Sequence, residues 1–141
     1  MPKRFPFVKQ SKYPHLRPED IAVWETFIDK YPDYFDSVDY DIRVGEGRIY
    51  PRALAGPYLT DMKLLTQMRI DVVAYRDDEV FIIELKPTVN TSALGQVFTY
   101  YELYKKEYPE VKKIHKMIIA SAEMPDVRRV AETIGIIIIL V

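Results

Sequence analysis

Residues 68–86, MRIDVVAYRDDEVFIIELK, constrain the fold of this chain more than any other stretch. Two runs rich in β-branched and aromatic residues flank the polar RDDE, the pattern of a β-hairpin. A loop centred between Asp77 and Asp78 sets its register: Val73 then faces Ile82, and Asp71 faces Glu84. Val73, Tyr75, Val80 and Ile82 line one face, while Val72, Ala74, Phe81, Ile83 and Leu85 line the other. Both faces are apolar, so the pair belongs in the middle of a sheet that is covered on each side.

The remaining segments supply the covers. A helix is expected from Pro18, with Glu19 and Asp20 at its positive end and Ile21, Trp24, Phe27, Ile28 and Tyr31 as its apolar stripe. SVDYDIRV at 37–44 reads as a strand, GEG as a turn leading to RIY at 48–50, and 51–66 has no clear pattern. A long helix is expected from Thr91 to about Tyr108, capped by Asn90 or Thr91, with Leu94, Val97, Tyr101, Tyr104 and Tyr108 toward the sheet. Strand 113–120, helix 125–134 and the buried strand GIIIILV complete the chain. Residues 1–17 read as a basic irregular lead-in, and 18–141 as one domain, since 141 residues suit a single core. A hairpin followed by βαβ crossovers implies an α/β domain with a mixed sheet.

One end of the hairpin breaks the apolar pattern. Asp71 and Glu84 sit opposite each other, with Cβ atoms ~5 Å apart, and Lys86 projects from the same face. Two like charges side by side in a buried sheet are costly unless a cation neutralises them. All-oxygen ligation points to Mg2+ or Mn2+. The helix that follows Lys86 starts near this end, and Gln96 and Tyr100, one turn apart, offer an amide and a phenol for a nucleic-acid phosphate or base.

The spacing Asp71-x12-Glu84-x-Lys86, followed by a helix with Gln96-x3-Tyr100, resembles the PD-(D/E)XK nuclease superfamily. The downstream pair is similar to the QxxxY motif of its RecB-like branch, and the order of elements over about residues 18–141 resembles its restriction-endonuclease-like fold. The resemblance implies a central mixed β-sheet flanked by α-helices, an αβββαβ core with a C-terminal αβ unit. It implies that Asp71 and Glu84 hold the metal together with the backbone carbonyl of Leu85. Lys86 would position or activate the attacking water, and Gln96 and Tyr100 would bind substrate or shape the site. The family often adds an acid from its first helix. Glu25, beside Ile21 and Ile28 on the edge of the stripe, is the expected catalytic acid, with Asp20 as the alternative. Ile70 stands where the motif's name has proline, a variation that leaves the chemistry untouched.

Other features narrow the function. The absence of cysteine excludes disulfides, Cys-ligated zinc and the iron–sulfur cluster of some relatives. A net charge of −1 argues against nucleic-acid binding over the whole surface, so phosphate contacts must be local. Candidates are Lys3, Arg4, Lys9, Lys12 and Arg17, then Lys63, Arg69 and Arg76, with Lys112, Lys113 and Lys116 read as a solvated strand entry. His15 and His115 are read as structural or surface residues. MPKRFPFVKQ lacks a signal-peptide core and IGIIIILV is far short of the ~20 residues of a membrane span, so a cytoplasmic protein without membrane contact is expected. The function implied is a Mg2+-dependent deoxyribonuclease acting on ends, single strands or frayed DNA. A structure-selective endonuclease such as a Holliday-junction resolvase is the second reading, and a non-catalytic DNA- or partner-binding protein the third. The resolvase reading predicts a stable dimer; oligomeric state is otherwise open, with a homodimer possible.

Overall fold

The computed structural model describes residues 4–48 and 56–141; Lys3, the expected strand residues Ile49 and Tyr50, and the start of the stretch 51–66 lie outside the described residues. The chain runs β1 (Phe5–Pro6), α1 (Pro18–Lys30), β2 (Ser37–Val44), a 3-10 turn at Gly56–Tyr58, α2 (Leu59–Thr66), β3 (Met68–Arg76), β4 (Glu79–Val89), α3 (Thr91–Glu107), β5 (Lys113–Glu123), α4 (Pro125–Thr133) and β6 (Ile136–Leu140).

The hairpin register is the one its loop sets, with Val73 opposite Ile82 and Tyr75 opposite Val80. Asp77 takes φ 54 in the turn, a conformation Asp tolerates, and its N–H donates to Asp36 Oδ2 at 2.8 Å. Among the described residues the sheet has six strands in sequential order; β1 to β4 pair antiparallel, and β4, β5 and β6 pair parallel. The architecture is therefore the expected mixed α/β sheet with helices on both faces.

Each face of the hairpin buries a different core. Val72, Ala74, Phe81, Ile83 and Leu85 pack with Trp24 and Phe27 of α1. Trp24 is fully buried and donates through Nε1 to the Tyr40 hydroxyl at 2.9 Å, which satisfies the indole as burial requires. Truncating Phe27, also fully buried, would cost about 3–5 kcal/mol. Val73, Tyr75, Val80 and Ile82 belong to a second core, which includes Val97, Tyr100 and Tyr104 of α3 and Ala131 of α4.

Three details differ from the sequence reading. Helix α3 is capped by Asn90, one of the two expected caps, which accepts from Ala93 N at 2.9 Å, but it buries Ala93, Val97, Tyr100 and Tyr104 while Leu94 and Tyr101 are half-buried. Both stripes fit the 3.6-residue period, and small Ala93 permits close approach at the capped end. The described part of the lead-in, 4–17, is packed: Phe5 pairs with Val38, Phe7 contacts Trp24, Phe27 and Phe35, and Tyr13 is buried. The isoleucine-rich last strand lies at the sheet edge, so only Ile136 is buried and the rest are half-buried. Among the described residues no helix is long and apolar enough to cross a membrane.

Candidate functional site

The β3–β4 ladder ends at Val72 and Ile83, and the next residues outward are Asp71 and Glu84. Strand β4 continues past this point beside β5, as far as Val89 opposite Glu123. Pro87 is tolerated there because neither neighbour in the ladder depends on its missing N–H: the pairing passes from Lys86–Ala120 to Thr88–Ala122. The splayed end leaves the Leu85 N–H to donate to Asp71 Oδ2 at 3.0 Å, which orients that carboxyl.

Glu84 is only 3% exposed. Lys86 Nζ lies 4.0 Å from its Oε1, and its Oε2 is buried with no hydrogen-bond partner. Burial, and after it the charge of Asp71, push the Glu84 carboxyl far above the usual carboxylate range. Burial also raises Asp71, against the opposing pull of the Leu85 N–H. The doubly ionised pair is therefore disfavoured, and either a proton or a cation would relieve the repulsion.

The pair opens on a cavity of about 170 Å3. Lys86 and Pro87 line it from the sheet, and Gln96 and Tyr100 line it from α3. Arg69, two residues before Asp71, forms another part of the wall, and His15, Arg17, Glu19 and Asp20 come from the start of α1 and its approach. Asp71, Glu84, Lys86, Gln96 and Tyr100 are thus brought together.

Glu25 is not. It lies five residues beyond Asp20, ~140° around the helix, and accepts a hydrogen bond from the Tyr13 hydroxyl at 3.0 Å. The acid that α1 brings to the cavity is Asp20, whose carboxyl is raised by burial and then by Glu19, and lowered by Lys86. Glu25 borders the stripe and is for that reason the expected acid, but the cavity lies at the N-terminal end of α1, where its first turn reaches.

The donors fit a hard divalent cation. Two carboxylates converge, and one buried oxygen lacks a protein partner, which is costly unless something occupies that position. Among the described residues no three His, Asp or Glu side chains form a ready-made metal cage. Mg2+ suits such a site, since it keeps several waters and takes one or two carboxylates.

Of the basic residues expected at phosphate, Arg17 and Arg69 line the cavity. Lys9 pairs instead with Asp29 at 2.9 Å, Arg76 lies over Tyr34 and Phe81, and Arg4 lies over Tyr75. His115 contacts Glu79 at 2.8 Å and stacks on Phe81, a packing role. His15, read as structural or surface, lines the cavity with φ 63. Asp41 binds Arg69 through both carboxylate oxygens, and nothing in SVDYDIRV separates it from its strand neighbours.

Neither a protein-family model nor a curated protein matches the sequence. Among solved structures, EndoMS in complex with double-stranded DNA matches with a TM-score of 0.52 at 16% identity, over 94% of this chain and 49% of that one. A repair endonuclease from Pyrococcus abyssi matches with a TM-score of 0.52 at 12% identity, over the same shares. The chain spans about half the length of either. Identity this low speaks to fold alone: the mixed six-stranded sheet flanked by helices is a fold that repair endonucleases also have.

Proposed function

We propose that the protein is a metal-dependent nuclease of RecB-like type that hydrolyses phosphodiester bonds of DNA at ends, single strands or frayed segments. The observation that carries this is Glu84, a buried carboxyl beside Asp71 with one oxygen unpartnered, opening on a cavity shared with Lys86, Gln96 and Tyr100. A fold held in common with EndoMS bound to double-stranded DNA supports DNA as the polymer.

Asp71 and Glu84 would hold Mg2+ or Mn2+, with the Leu85 carbonyl as a further oxygen. When bound, the ion supplies Lewis-acid stabilisation of phosphoryl charge and lowers the pKa of a coordinated water. Lys86 places a positive charge beside the carboxylates, where it orients the attacking water and offsets charge that develops on the phosphate. Tyr100 remains a hydrogen-bond donor, because burial and the Glu84 and Asp71 charges raise its phenol. Gln96, also in contact with that phenol, presents an amide to the same wall. Asp20 adds a third acid from α1, close enough to feel Lys86.

Digestion of end-labelled single- and double-stranded DNA and of a four-way junction, with Mg2+, Mn2+ or EDTA, tests the reading. Cleavage is expected to need metal and to vanish in Asp71→Ala and Lys86→Ala. The product ladder separates exonuclease from endonuclease, and a junction preference would select the resolvase reading. Folded wild-type protein that cleaves none of these with either metal would overturn the proposal.

A further inference from the structure

Asp41 has an unusual backbone for a residue inside a strand. Its φ is 57, and the β2–β3 ladder passes from Tyr40–Val72 to Ile42–Ile70 without pairing it. The two strands exchange faces at this point: Val38, Tyr40 and Val72 belong to the core under α1, Val44 and Ile70 to the core under α3. The left-handed region is uncommon for a residue with a Cβ, though Asp tolerates it better than most, and such a backbone inside a strand persists where the surroundings hold it.

What holds it here is Arg69. Asp41 Oδ1 accepts from Arg69 Nε and Oδ2 from Nη2, both at 2.5 Å, with the side chains 14% and 32% exposed. This fork-to-fork pair fixes the plane of the guanidinium, as a lysine could not. It uses two of five N–H donors, and no other hydrogen bond from the fork is made among the described residues. Arg69 also lines the cavity that Asp71 and Glu84 open on.

We propose that Arg69 is a phosphate-contacting residue, gripping the DNA backbone beside the scissile bond, and that Asp41 is its positioning residue. The proposal rests on the nuclease reading and deepens it. Because Asp41 only partly offsets the charge of Arg69, the contribution is one of direction as well as of attraction. That gives opposite expectations for Asp41→Asn, which keeps a residue tolerant of positive φ but removes a negative charge beside the cavity. A charge effect alone would tighten DNA binding, whereas loss of positioning weakens productive binding.

The test measures cleavage kinetics and, in Ca2+, binding of a fluorescent single-stranded oligonucleotide over a salt series. It compares wild type, Arg69→Ala, Arg69→Lys, Asp41→Asn and the Arg69→Ala/Asp41→Asn double variant, each checked for fold by circular dichroism. Expected is a rise in KM of about tenfold or more for Arg69→Ala, with a salt slope shallower by about one. Arg69→Lys is expected not to restore it, Asp41→Asn to lose activity despite the added positive charge, and the double variant to be no worse than Arg69→Ala. Unchanged KM and salt slope in Arg69→Ala, or an Asp41→Asn that binds more tightly and cleaves as well as wild type, would overturn the proposal while leaving the nuclease reading intact. Wild type that neither binds nor cleaves DNA would remove both.

Discussion

Two carboxylates are buried on the same face of the sheet, and their surroundings differ. Asp39, 1% exposed and opposite Val73, has one oxygen without a partner, and so does Glu84. The other oxygen of Asp39 accepts from the Tyr75 hydroxyl at 2.7 Å, and Tyr104 and Tyr108 are within its field. Glu84 has instead a second carboxyl beside it, an ammonium 4.0 Å away and a cavity in front. Burial alone therefore does not make a site. On the function proposed above, a second like charge does, because only a proton or a cation can relieve the pair.

The sharpest way to break this comparison is to remove each carboxylate in turn. Asp71→Ala and Glu84→Ala are expected to lose DNA cleavage by about a thousandfold or more, since several kcal/mol of transition-state stabilisation go with the metal. Asp39→Asn, which keeps an acceptor for Tyr75, is expected to cleave within a few-fold of wild type in the same assay.

Thermal melts sharpen the contrast next. Mn2+ at a hundred times its Kd is expected to stabilise wild type and Asp39→Asn by about 2.7 kcal/mol, and to leave Asp71→Asn unmoved.

A pH series in EDTA comes third. The folded-state value of Glu84 lies above its unfolded value of about 4.3, so the folded protein keeps a proton that the unfolded chain has released. The resulting stability is fully present below the unfolded value and is lost as pH rises toward the raised one. Denaturant titrations should show wild type weakening between about pH 5 and pH 8 from this group. Glu84→Gln should flatten that slope and be more stable than wild type at neutral pH by about 1–3 kcal/mol.

The smallest effect separates the two acids of α1. Glu25→Gln is expected to leave cleavage rates unchanged and to cost about 1 kcal/mol or less, the worth of its bond from Tyr13. Asp20→Ala is expected to slow cleavage about tenfold, the effect of one charge in the cavity.

Much of this was legible because it depends on period and register. The loop at Asp77–Asp78 fixes which residues of the hairpin face each other, and a period of two then assigns Val73 and Ile82 to one core and Val72 and Ile83 to the other. The same register puts Asp71 beside Glu84, and Lys86 follows by alternation. What could not be read depends on direction in space. Glu25 and Asp20 both border the stripe of α1, and only the position of that helix over the sheet decides which one meets the cavity. Tyr100 and Tyr101 fit alternative helical stripes equally well. Asp41 looks like any outward residue of an alternating strand, and its positive φ and grip on Arg69 arise from a strand kink that no local pattern announces. Residues 4–17 have no periodicity, yet Phe7 and Tyr13 are held by contacts with distant rings.

Calorimetric titration of Mn2+ into the protein near neutral pH, in two buffers of different ionisation heat, tests the central claim most directly. If the Asp71–Glu84 pair trades its proton for a cation, wild type and Asp39→Asn bind the ion with release of about one proton, and Glu84→Gln binds far more weakly and releases none. Binding by Glu84→Gln as tight as by wild type, or no binding by wild type at all, would contradict it.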